Sequence, residues 1–326
     1  MKLENFKPFE GQHCETTATG TLLHQLEIEL SEPMLFGLGE GLGFIFWNMK
    51  TMNFPFIGGR VKTDLLTQNI AKNLNLELTV KETSSSQKAW DDVKQLLDNG
   101  LVVGLKLDCF YLEYFSRPIH FAGHYAAIYG YDTENAFLVD TKQQGIQVKT
   151  SLASLEKARA EKGPMSSKSL YYTINKTNKK FDPKIAIPNA IRTNAVDFLN
   201  PPINNIGYKG ILKTSKELFK WFDNSKDIEN DFSSSAMLME RAGTGGALFR
   251  NLYRDFLLES FELLKISTLK EAYIDFIDIA NMWNEVSNLF ILVSKTKDRK
   301  YIEQASEILI KLAAREKSAM EKLVKI

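Results

Sequence analysis

The chain has 326 residues, 44% of them hydrophobic and 25% charged, which is enough for two domains with real cores and too apolar for a disordered chain. Forty-one Lys and Arg against 40 Asp and Glu leave a formal charge of +1, so no electrostatic feature points to nucleic acid. No window approaches the roughly 18 apolar residues of a membrane span, the N-terminus lacks the apolar core of an export signal, and two cysteines, Cys14 and Cys109, are too few for a disulfide frame; a cytoplasmic protein without membrane partners is expected.

Apolar residues at three- and four-residue steps, Ala18, Leu22, Leu23, Leu26 and Leu30, predict an amphipathic helix from Cys14 to Leu30, with Cys14 at its start. Ser31-Glu32-Pro33-Met34 breaks it, and Gly37, Gly39, Gly41 and Gly43 follow as tight backbone turns. Strand pieces at 44–49 and 54–57 precede a helix at 61–74, a strand at 76–80, a serine-capped helix at 84–98 and a buried strand at 101–107. The run from Gly123 to Tyr131, the turn Asp132-Thr133-Glu134-Asn135 and the run from Ala136 to Asp140 form a β-hairpin. A strand near 146–149, a helix near 152–160 and a strand at 169–174 complete an α+β half with an antiparallel sheet.

Residues 151–180 carry seven basic and two acidic side chains, read as a solvated helix and linker. Beyond a polar linker at 175–183 only helical periodicity remains, at 185–198, 215–222, 228–241, 247–264, 269–293 and 298–324, a helical bundle. The expected division is therefore a catalytic domain at 1–176 and a helical domain at 184–326.

Cys14 is the candidate nucleophile, because free N–H groups and the positive end of the helix dipole favour a thiolate there. Cys109, past a strand end, reads as structural. Of the four histidines, His13 and His24 are poorly aimed at Cys14, whereas His124 enters a hairpin that ends at Asp140, so strand pairing can join imidazole and carboxylate; His120 is its rival. The spacing His120-x3-His124 lacks further metal ligands, and neither Gly37-x-Gly39-x-Gly41-x-Gly43 nor Gly243-x-Gly245-Gly246 fits a nucleotide loop, so no metal and no cofactor are expected.

The segment His13-Cys14-Glu15-Thr16-Thr17, the run Leu30 to Phe44 and the block Gly123-His124-Tyr125-Ala126-Ala127-Ile128-Tyr129-Gly130-Tyr131-Asp132 with Phe137-Leu138-Val139-Asp140 resemble the N-terminal domain of the butirosin biosynthesis protein H family. Ala242-Gly243-Thr244-Gly245-Gly246-Ala247-Leu248-Phe249-Arg250, with Tyr253 and Phe256 to Glu259, is similar to the uncharacterised domain that often follows it. The resemblance implies a papain-like first domain and, for the named relative, acyl transfer from an acyl carrier protein to an amine of an aminoglycoside, a role in antibiotic biosynthesis. Carried over by residue, it implies a triad of Cys14, His124 and Asp140; no glutamine stands several residues before Cys14 as in papain-like peptidases, so the Cys14 amide is the expected oxyanion donor, with Gln12 the nearby side-chain alternative.

A cysteine acyltransferase is therefore expected, taking its acyl group from a carrier protein or another thioester and passing it to a small amine. The loop at Gly39, Glu40 and Gly41 and the loop at Gly245 and Gly246 are expected to wall the substrate cleft. A papain-like peptidase or amidohydrolase, and a noncatalytic binding protein on the same fold, remain as rivals. Self-association is left open.

Overall fold

The computed structural model describes residues 1–4, 6–49, 52–117, 119–163 and 165–326. The chain forms two compact units, residues 1–35 with 63–181 and residues 36–62 with 182–326. In chain order the first half runs α1 (Cys14–Gln25), α2 (Glu32–Leu38), β1 (Leu42–Trp47), β2 (Phe56–Arg60), α3 (Leu65–Asn73), β3 (Glu77–Lys81), α4 (Ser86–Asp98), β4 (Val103–Leu107), β5 (His124–Tyr131), β6 (Asn135–Val139), β7 (Gln147–Ser151), α5 (Leu152–Ala160) and β8 (Tyr171–Asn175). The second half is helical: α6 (Pro183–Leu199), α7 (Gly207–Asn224), α8 (Ile228–Arg241), α9 (Arg250–Leu264), α10 (Ser267–Thr296) and α11 (Lys300–Leu323). The α+β class read from the sequence is that of the structure.

In the first unit six antiparallel strands lie in the order β3-β8-β4-β5-β6-β7. Side chains alternate across a strand, so Val103, Leu105 and Leu107 of β4 share one face with Ala126 and Ile128 of β5 and Ala136 and Leu138 of β6. That face is covered by Val93 and Leu97 of α4 and Leu155 and Ala158 of α5. Helix α4 forms because Ser85 caps it, its Oγ accepting from the Lys88 amide at 3.2 Å, while Ala89, Val93 and Leu97 recur on one buried stripe.

Helix α1 lies on the opposite face. Gly104 has no side chain there, since a Cβ would sit 2.1 Å from the Tyr172 ring, and the Tyr172 hydroxyl reaches Thr19 of α1 at 3.1 Å. Thr19 in turn bonds Thr67 of α3 at 2.9 Å. Helix α1 ends at Gln25, short of the expected Leu30, because the chain turns at Glu27 (φ 58°) and the amides of Glu27 and Ile28 fold back onto the carbonyls of His24 and Leu23 at 3.0 Å each.

The second unit holds β1 and β2, an antiparallel hairpin paired only with itself among the described strands, together with helices α6 to α11. Phe44 stacks on Trp283 of α10 at 5.6 Å, and Asn194 of α6 donates to the carbonyls of Leu42 at 2.7 Å and Glu40 at 3.1 Å. Trp221, Phe232 and Phe290 form an aromatic core among α7, α8 and α10. Helix α7 starts at Gly207, earlier than the expected 215, and Gly210 is needed there because a Cβ would lie 2.4 Å from the Asn205 carbonyl oxygen. Among the described residues no helix is long and apolar enough to cross a membrane.

Candidate active site

The sheet's register places His124 at the first position of β5, opposite Leu107, and Asp140 immediately after β6. His124 Nε2 lies 2.7 Å from Asp140 Oδ2, and both side chains are buried. Asp140 is held further: the Tyr114 hydroxyl donates to Oδ2 at 2.7 Å, the Thr141 amide donates to Oδ1 at 2.6 Å, and its own amide donates to Ile146 at 2.8 Å. Phe115 stands edge-on to the imidazole, centroids 5.3 Å apart. A carboxylate on Nε2 leaves Nδ1 as the ring nitrogen that can meet a second partner.

Burial disfavours a charged imidazole here, but the Asp140 carboxylate, then the sulfurs of Cys109 and Cys14, outweigh it and hold the His124 pKa well above the ordinary histidine range. Tyr114 is pushed the other way from ionisation, first by burial and then by the Asp140 charge, so it stays a neutral donor.

Cys14 is the first residue of α1, and its preceding residue, His13, supplies no side-chain cap. It is partly exposed, whereas Cys109 is buried. The segment leading to Cys14 is tied to the segment following Asp140, because the Lys142 amide donates to the Gly11 carbonyl at 2.9 Å. Among the described residues no hydrogen bond joins the Cys14 sulfur to the imidazole. His124 shares the register of the sheet face covered by α4 and α5 while α1 leans on the other, so thiol and ring can meet only at the end of the sheet where both elements begin.

Cys109 opens a short 3-10 turn, Cys109–Tyr111, capped by Asp108, and its sulfur adds to the field that raises the His124 pKa, a relation its place past a strand end did not disclose. Exposure separates the two thiols. Alkylation near neutral pH followed by peptide mapping should modify Cys14 before Cys109; faster modification of Cys109 would remove Cys14 as the candidate nucleophile.

The rival His120 pairs with a different carboxylate, Asp108. Its Nδ1 lies 3.2 Å from Asp108 Oδ2, its ring stacks on Phe110 at 4.0 Å, and it is 58% exposed. Asp108, His120 and Glu161 bring one ligand atom each within 4.8 Å of one another, the grouping of the described residues that could hold a metal ion. His13 is buried behind the start of α1, and His24 contacts the Lys7 carbonyl at 3.1 Å.

Gln12 sits two residues before Cys14 with its side chain exposed, and its amide donates to both oxygens of Glu32 at 2.9 Å. Gly39, Glu40 and Gly41 belong to the second unit, where they close α2. The left-handed residue there is Glu40 (φ 53°), not a glycine, and Gly41 serves close approach, since a Cβ would lie 2.7 Å from the Phe36 carbonyl. Gly245 (φ 67°) and Gly246 (φ 82°) begin a left-handed run through Phe249, and α9 starts only at Arg250. The Ala247 amide is taken by Glu240 at 3.2 Å and the Gly246 amide by Thr244 at 3.1 Å, so this turn is built from internal bonds.

Residues 13–141 match the family model described as Butirosin biosynthesis protein H, N-terminal. Residues 153–323, more than half of the chain, match the model described as Domain of unknown function (DUF4872). No curated protein matches the chain.

Proposed function

From a chain that belongs to the DUF4872 family and carries a butirosin biosynthesis protein H N-terminal domain, we propose a cysteine-dependent acyltransferase of papain-like type acting in secondary-metabolite biosynthesis. The observation that carries this reading is the buried His124–Asp140 pair at 2.7 Å, at the end of the sheet to which the chain preceding Cys14 is bonded.

In the proposed reaction the Cys14 thiolate attacks the carbonyl carbon of a carrier thioester. The tetrahedral oxyanion takes the Cys14 amide as donor, and collapse breaks the bond to the carrier sulfur, which leaves with a proton from the His124 imidazolium. An amine then attacks the acyl-enzyme, His124 Nδ1 accepts its proton, and the Cys14 sulfur leaves as thiolate. Asp140 keeps the ring in one orientation and stabilises its charged form, and Tyr114 fixes Asp140.

Incubation with a panel of acyl-carrier thioesters, read by intact mass and peptide mapping, is expected to give one acyl group on Cys14 that an added amine removes as an amide. An adduct released only as free acid would identify a hydrolase instead. A chain that takes up no acyl group from any thioester, with Cys14 still alkylatable, would overturn the assignment.

A further inference from the structure

The start of α1 is held by a residue that the mechanism above does not use. Glu32 opens α2, and its carboxylate accepts the Gln12 amide through both oxygens at 2.9 Å, the His13 amide at 2.8 Å and the Thr16 hydroxyl at 2.8 Å. The Thr17 hydroxyl donates to the His13 carbonyl at 2.7 Å, an oxygen that also lies 2.9 Å from Thr16 Oγ1. Gly11 makes the space: a Cβ there would lie 2.9 Å from Glu32 Oε1 and 2.4 Å from Thr17 Oγ1. The same glycine's carbonyl carries the bond from Lys142, two residues after Asp140.

A carboxylate at a helix start ordinarily caps the first helical amides or screens the dipole. Glu32 instead consumes the two amides that precede the helix, those of Gln12 and His13. The amide of Cys14 is left without a partner among the described residues, at the one position where an acyl oxyanion on Cys14 would need it.

We infer that Glu32 is a positioning residue for acyl transfer: it clamps residues 12 and 13 so that the Cys14 amide is the donor presented to the oxyanion. The inference rests on Cys14 being the nucleophile. It assigns the oxyanion donor to the main chain of Cys14; the main-chain amide of Gln12 is spent on Glu32.

Two rates in the 326-residue chain test it: acetylation of Cys14 by S-phenyl thioacetate, which forms an oxyanion, and alkylation by iodoacetamide, which forms none. Glu32→Ala is expected to slow acetylation at least about tenfold while alkylation does not fall. Glu32→Gln, whose amide oxygen can still accept from residues 12, 13 and 16, is expected to recover most of the acetylation rate. If Glu32→Ala fails to fold, Gly11→Ala, which displaces the carboxylate while keeping it, takes its place with the same expectation. Acetylation of either clamp variant at the wild-type rate overturns the role of Glu32, and so does a parallel fall of both rates, which would mean general damage to the helix start. Absence of acetylation in the wild type, with Cys14 still alkylated, overturns the nucleophile itself and Glu32's role with it.

Discussion

Replacing His124 by Ala is expected to lower acylation of Cys14 by about 10²–10⁴-fold, the range a positioned acid–base group supplies. Cys14→Ala should abolish the adduct altogether. Asp140→Asn should come close to the His124 variant, because an amide can no longer stabilise the imidazolium or fix its tautomer. Tyr114→Phe should cost less, since Asp140 keeps the Thr141 amide and the imidazole when that one hydroxyl is gone. Single-turnover transfer from a thioester measures all four. Equal rates in wild type and His124→Ala would end the case for this histidine.

A pH dependence follows from the same pair. Burial alone would lower the His124 pKa, but Asp140, Cys109 and Cys14 together raise it above the ordinary value. A raised folded pKa means that the protonated ring stabilises the fold, fully so below the unfolded value of about 6.5. That contribution is lost as pH climbs through the higher folded value. The stability gap between wild type and His124→Ala should therefore be widest in mild acid and narrow in alkali, as denaturant titrations across that window can read. In Asp140→Asn the counter-charge is gone, so the window should close at lower pH.

What the sequence disclosed of this site came from strong local patterns. The alternation of 123–131 and 136–140 around a polar turn marks a hairpin, and a hairpin brings its ends together, so His124 and Asp140 were legible as a pair. Helix ends were less so, because the usual signal is a glycine in the left-handed position and this chain puts Glu27 and Glu40 there. The glycines that drew notice at 37, 41 and 43 answer a different need: Cβ atoms there would strike the Phe256 ring, the Phe36 carbonyl and the backbone of Arg60.

Glu32 read as part of a helix break because its partners lie about twenty residues back along the chain, and nothing local records them. Tyr114 and Phe115 sit in a loop without periodicity, so only the aromatic run Tyr111-Leu112-Glu113-Tyr114-Phe115 before the histidine block could have singled them out. The hairpin at 42–60 carries a β pattern that says nothing of which partner it meets. Its unit is set by Phe44 on Trp283 and by Gly59, where a Cβ would lie 2.3 Å from the Leu248 carbonyl oxygen.

Arg250→Met should destabilise the second unit by about 3–5 kcal/mol, the usual consequence of leaving one member of a buried ion pair alone. Arg250 and Glu316 are both fully buried, joined through Nε to Oε1 at 2.9 Å and Nη2 to Oε2 at 2.8 Å. Glu316 Oε1 also accepts from the Trp283 indole at 2.6 Å. Arg250 Nη1 donates to the carbonyls of Leu248 at 2.8 Å and Gly59 at 3.2 Å. One guanidinium thus holds the hairpin, the bundle and the left-handed residues Ala247, Leu248 and Phe249, whose φ of 47°, 51° and 72° is costly for side chains with a Cβ. Glu316→Leu should destabilise by a similar amount, since it strands the arginine.

The double variant Arg250→Met with Glu316→Leu decides what the pair is for. If its worth is charge compensation, removing both charges should recover most of the loss, as apolar replacements of buried pairs often do. The double variant is expected instead to stay well below wild type, because the Leu248 and Gly59 carbonyls and the Trp283 indole N–H lose their partners in a dry interior, at about 1–3 kcal/mol each. Urea unfolding followed by tryptophan emission reports on the right unit, since Trp47, Trp221 and Trp283 lie in it and only Trp90 lies outside. A double variant as stable as wild type would show that the turn holds its left-handed shape without the arginine.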